Sequence, residues 1–159
     1  MESFIKIGEF AVGSEGEIFR TVLGSCIGLC LWDPERKIGG LIHIMLPDGR
    51  EEDKKIEPGK FASTAVDALR DAVLKAGAAH RGLTAKLAGG AGMFFKPTSD
   101  AGVFSVGRQN YQKVRERLDK LGIAIAFEHV EGRRGRNISF DCATGLLTVK
   151  VQDGSTTTG

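Results

Sequence analysis

The sequence predicts a mixed α+β domain, and three observations carry that expectation. Short apolar runs, many of them alternating, recur along the chain and stop at Gly, Pro, Asp or Ser. Only two stretches, 61–76 and 110–121, repeat their apolar residues with helical period. The 22 glycines favour tight turns and close backbone approaches over a long helical bundle.

The chain has 159 residues, enough to bury a core without metal or disulfide staples. Residues 1–151 read as a single domain and 152–159 as a polar C-terminal tail without structure. A net charge of +2 is too small to argue for nucleic acid or a membrane surface. No run approaches the length of a transmembrane helix, so membrane insertion is not expected. The start Met-Glu-Ser-Phe lacks the basic and apolar regions of a signal peptide. With three cysteines, an odd number, this points to a reducing cytoplasm where a thiol is free for chemistry.

In chain order, 4–7, 9–12 and 17–23 read as strands, and Gly24-Ser25 breaks the third. Residues 26–32 resume it, with Cys26, Gly28, Cys30 and Trp32 on one face and Ile27, Leu29 and Leu31 on the other. Asp33-Pro34-Glu35-Arg36 has turn chemistry, and 38–46 is the return strand of a hairpin. A two-residue loop at Pro34-Glu35 sets Cys26 directly opposite His43; a longer loop shifts the pairing by one or two places. Residues 47–57 read as a charged surface loop, and Pro58 suits the opening of the first helix, which Gly77 ends. Residues 84–88 form a strand, followed by a glycine-rich loop to Gly107. Asn110 is expected to cap the second helix. Residues 123–130 are a strand, and 136–142 with 146–151 form a hairpin.

Chemistry concentrates at the broken strand. Cys26 follows Gly24-Ser25, whose sharp turn leaves amide N–H groups near the sulfur, where they can lower the thiol pKa or hold an oxyanion. His43 lies in the apolar run Leu41–Pro47, and imidazole is the side chain best suited to activate a thiol. The bland alternatives are a small buried cysteine and a satisfied core histidine. Cys30 and Cys142 read as core. A zinc site at Cys26, Cys30 and His43 lacks a fourth ligand and the right spacing. His80 looks exposed, and His129 is either a surface pair or a core edge. Gly89–Gly92 lacks the Gly-Lys-Ser/Thr of a phosphate loop, so no nucleotide site is expected. The basic cluster Arg133-Arg134-Gly135-Arg136 reads as a solvated turn or a dock for an acidic partner, not a nucleic-acid site.

The residues Thr21-Val-Leu-Gly-Ser-Cys26 and His43-Ile-Met-Leu-Pro47 resemble the signature of the CheD family of chemoreceptor glutamine deamidases. Ile7–Val12, Pro58–Ala62, Ala85–Ala91 with Met93-Phe94, and the 136–150 hairpin agree in the same order. At Val106-Gly107-Arg108-Gln109-Asn110 the family's arginine is replaced by Gln109, with Arg108 beside it. The resemblance implies antiparallel β-sheets packed together with two main helices outside, similar to deamidating bacterial toxins. It implies a Cys26–His43–Thr21 site that converts receptor glutamine to glutamate through a thioester, with N–H groups of Ser25 and Cys26 holding the oxyanion and no cofactor. Thr21 orients the imidazole in that scheme through its hydroxyl or its carbonyl. The implied partners are methyl-accepting chemotaxis receptors and a CheC-type phosphatase. A regulatory binding module for that phosphatase, without essential catalysis, is the alternative. A redox-sensing thiol is a third class.

Overall fold

The computed structural model describes residues 1–92 and 105–159. The sequence's Met93-Phe94 motif therefore lies outside the described residues.

Among the described residues, ten strands form two five-stranded sheets. The first has the order β1 (Glu2–Phe4), β3 (Ile18–Leu23), β8 (Arg136–Asp141), β9 (Leu147–Val151) and β10 (Thr156–Thr158). The second has the order β2 (Phe10–Gly13), β5 (Ile38–Ile44), β4 (Ile27–Asp33), β6 (Thr84–Gly89) and β7 (Ala124–Val130). Each sheet contains one parallel pairing, β1 with β3 and β6 with β7, and is otherwise antiparallel. This is the α+β architecture that the sequence predicts.

The period-2 faces sort the core into two layers. Leu23, Cys30, Leu41, Ile138, Phe140 and Val149 fill the seam between the sheets. Ile27, Leu29, Leu31, Ile42 and Ile44 point the other way, against two helices. Those helices are α2 (Ala62–Lys75), which lays down Ala62, Ala65, Val66, Leu69 and Val73, and α3 (Val106–Leu121), which adds Tyr111, Val114 and Leu118. Both cover the same sheet face, so the layers run sheet, sheet, helices. Strand β4, at the centre, is buried on both sides.

Four expectations change. Residues 51–56 form a short helix, α1 (Glu51–Ile56), where a loop was expected. It buries nothing, so it has no apolar period. Its signal is electrostatic instead: Glu51, Glu52 and Asp53 sit in the first turn and Lys54 and Lys55 in the last, matching the helix dipole. Helix α3 starts at Val106, and its cap is Ser105, whose side chain accepts from the Arg108 N–H at 3.3 Å. Asn110 is inside that helix and fully buried. The tail is also structured, because β10 pairs antiparallel with β9.

The fourth change is the hairpin register. Asp33 pairs with Ile38, so the loop is four residues, Pro34 to Lys37, and Lys37 takes a left-handed φ of 52°. Asp33 organises it: its carboxylate accepts from the N–H groups of Glu35 and Arg36 and, across the fold, from Ala79. The two extra loop residues shift the pairing by two places, which keeps every side chain on its predicted face. Gly28, not Cys26, stands opposite His43.

Candidate functional site

Strand β3 belongs to the first sheet and β4 to the second. The three residues between them, Gly24-Ser25-Cys26, are where the chain crosses the seam. Thr21 faces the seam from β3, where the alternation buries Phe19, Thr21 and Leu23. His43 faces it from β5, beside the seam residue Leu41 two positions away. Cys26, half-buried, packs on the same seam core from the corner. Continuing the ladder, it stands diagonal to His43, a relation that spans about 7–8 Å between backbones. The position directly opposite His43 is Gly28, and a Cβ there would meet Ile138 at 2.7 Å and Leu23 at 3.1 Å. Glycine lets the first sheet approach that closely.

The imidazole is held on one edge. Thr21 Oγ1 donates to the Ile5 carbonyl at 2.6 Å and lies 2.8 Å from His43 Nδ1, which is also 3.4 Å from the same carbonyl. A hydroxyl has one proton, and a carbonyl can only accept. The Thr21 proton belongs to Ile5, so Nδ1 carries the hydrogen and donates to Thr21 Oγ1. Nε2 is left with its lone pair, is buried, and has no hydrogen-bond partner among the described residues. The backbone of His43 is pinned as well: its N–H donates to Glu9 O at 3.1 Å and its carbonyl accepts from Gly8 N–H at 2.8 Å.

Burial sets the charge states. Desolvation pushes the Cys26 thiol up from its ordinary value and pulls His43 down, despite the bond to Ile5. The resting pair is therefore a neutral thiol and a neutral imidazole.

The corner is fastened by its carbonyls. Gly24 O accepts from Ala91 N–H at 3.0 Å, and Cys26 O from Gly90 N–H at 2.9 Å. Ser25 O accepts from Asn110 Nδ2 at 3.0 Å. Among the described residues, the N–H groups of Ser25 and Cys26 donate to nothing. Gly89 makes this possible: its φ is +106°, and a Cβ there would lie 2.1 Å from Cys26 O. Sequence reading placed Asn110 at a helix cap and missed its role here. The signal was an amide side chain one turn into a helix with no polar surface to face.

The remaining candidates go elsewhere. Cys30 and Cys142 are buried in the seam, and desolvation raises both thiols, Cys142 to about 12. His80 Nε2 donates to Leu121 O at 2.9 Å. Arg136 is not part of a solvated turn. It is buried and donates to His129 Nδ1 at 3.0 Å, Gly89 O at 2.9 Å and Glu131 O. Arg108 lies 3.8 Å from Glu131 at the start of α3.

Residues 45–151 match the family model described as CheD chemotactic sensory transduction. The chain belongs to the CheD family. Its curated relatives extend the CheD match over nearly the whole chain. A protein of Desulforamulus reducens is 40% identical over 148 residues, covering 92% of this chain and 89% of its own. One of Methanococcus vannielii is 40% identical over 146 residues and one of Clostridium botulinum 41% over 150, each covering 92% of both chains. All three are named "Probable chemoreceptor glutamine deamidase CheD". The CheD model match starts two residues after His43, whereas the alignments to the relatives leave too little of the chain outside for positions 21, 26 or 43 to fall beyond them. No helix among the described residues is long and apolar enough to cross a membrane.

Proposed function

We propose that this CheD-family chain is a protein-glutamine deamidase acting on chemoreceptors, with Cys26 as nucleophile, His43 as base and Thr21 as the residue that orients it. The names of its relatives support the substrate. The observation that carries the chemistry is the pair of contacts from Thr21 Oγ1, to the Ile5 carbonyl and to His43 Nδ1, which puts the ring proton on Nδ1 and leaves Nε2 with its lone pair and no hydrogen-bond partner among the described residues.

Cys26 Sγ attacks the side-chain carbonyl carbon of the glutamine as its proton passes to Nε2. The carbonyl electrons move to oxygen, and the N–H groups of Ser25 and Cys26 stabilise the oxyanion. Nε2–H then protonates the departing nitrogen, ammonia leaves and a thioester remains. Water, losing a proton to Nε2, attacks the thioester carbon. Collapse gives glutamate and returns the proton to sulfur. In this scheme the proton leaves sulfur as the bond to carbon forms, since burial disfavours a thiolate standing beside an imidazolium.

Cys26→Ala and His43→Ala are expected to abolish ammonia release and the glutamine-to-glutamate mass change in receptor peptides, with unchanged circular dichroism. Retained conversion by Cys26→Ala would sink the reading.

A further inference from the structure

We infer that Asn110 is a positioning residue that aims the Cys26 N–H at the oxyanion and ties the nucleophile's corner to the strand carrying His43; this rests on the deamidase reading above. Asn110 is wholly buried in α3, away from its helix's solvent side. Its Nδ2 donates twice, to Ser25 O at 3.0 Å and to Met45 O at 3.0 Å. Both partners are carbonyls, so only the amino end of the side chain can face them. Its Oδ1 has no partner among the described residues, so these two bonds alone fix the side chain's polar end.

The two carbonyls belong to the two halves of the proposed site. Met45 lies two residues after His43, just past the end of β5. Ser25 O is one end of the Ser25–Cys26 peptide. That peptide is planar and trans, so its C=O and N–H point in opposite directions. Fixing the carbonyl on Asn110 fixes the direction of the Cys26 N–H. A hydrogen bond to a peptide oxygen also polarises the unit and strengthens its N–H as a donor. Ala91 N–H does the same service for the neighbouring peptide by holding Gly24 O, and so aims the Ser25 N–H. The difference is that, among the described residues, Asn110 is the side chain that hydrogen-bonds both to the corner and to the end of the strand with His43. Without it, the link that remains between the corner and Met45 among the described residues runs through the ladder between β4 and β5.

The test compares wild type with Asn110→Ala and with Asn110→Asp, which keeps the shape but can donate at most one of the two bonds, and that only when protonated. Three quantities are measured: kcat and KM for glutamine conversion in a receptor peptide, thermal melting, and the rate of Cys26 alkylation by iodoacetamide against pH. Cys30 and Cys142 are buried, so alkylation of the folded protein reads Cys26. Both variants should melt cooperatively. Both should lose kcat on the order of 100-fold with KM little changed, as expected when a donor to the transition state is misaligned by about an ångström. Their alkylation should also lose the limb that follows His43 titration and keep only the thiol's own alkaline limb, which a purely structural support would not alter. Full activity in Asn110→Asp, a loss confined to KM, an unchanged alkylation profile, or failure of both variants to fold would each overturn the inference. An active wild type with equally active variants removes this inference alone. A wild type that converts no glutamine removes the deamidase reading with it.

Discussion

One hydroxyl proton decides what His43 can do. Thr21 gives it to Ile5 and accepts from Nδ1, and the free lone pair on Nε2 follows. Thr21→Val has nearly the same shape but removes both bonds, leaving Nδ1 only the longer contact to Ile5. We expect kcat to fall by up to about 100-fold, the low end of what a positioned general base contributes, because the Ile5 carbonyl still reaches Nδ1. Thr21→Ser restores the hydroxyl and should keep most of the rate. Steady-state kinetics on both variants check this, and equal activity in Thr21→Val would show that the Ile5 carbonyl is sufficient. The residue types were legible in the sequence, since a cysteine after Gly-Ser and a histidine in an apolar run are conspicuous. The Thr21 contact was not legible from periodicity, because Thr21 and His43 belong to different sheets and no local pattern encodes a contact across the seam.

At the level of elements, alternation assigned the faces of β4 and β5 correctly, because each strand is buried on both sides and a one-place slip would exchange its two cores. The register was not readable, because loop length depends on Asp33 bonding to the turn and to Ala79 together. Helix α1 was missed for want of an apolar face, and Asn110 was misplaced because Asn is a common cap and the true cap, Ser105, lies five residues earlier. The same level gives a prediction for the loop after β6. Gly89→Ala puts a methyl into a left-handed backbone and against Cys26 O. It should cost about 2 kcal/mol or more in chemical denaturation, since the strained φ alone accounts for roughly 1–2. A neutral result would mean that the corner can retreat from β6.

For the molecule as a whole, burying a neutral imidazole between two sheets couples stability to acidity. His43 has its folded pKa below the ordinary 6.5, so the unfolded chain binds its proton first. Stability is then fully present above pH 6.5 and declines as pH falls below it. The carboxylates act lower: Asp48, held down to about 2 by Ser63, the Gly49 N–H and Lys54, contributes stability that is lost only below its ordinary 3.8. Urea unfolding between pH 7 and about 4.5 should show a falling midpoint in wild type and a flatter one in His43→Gln. Parallel slopes would place the acid sensitivity elsewhere.

Thr21 and His43 come from separate layers, and Cys26 sits where the chain steps from one to the other. On the proposed reading, parting the layers separates Thr21 from His43 while each strand keeps its pairing within its own sheet. Such parting also removes the burial that raises the Cys26 thiol, but exposure alone does not supply the histidine that the proposed reaction needs.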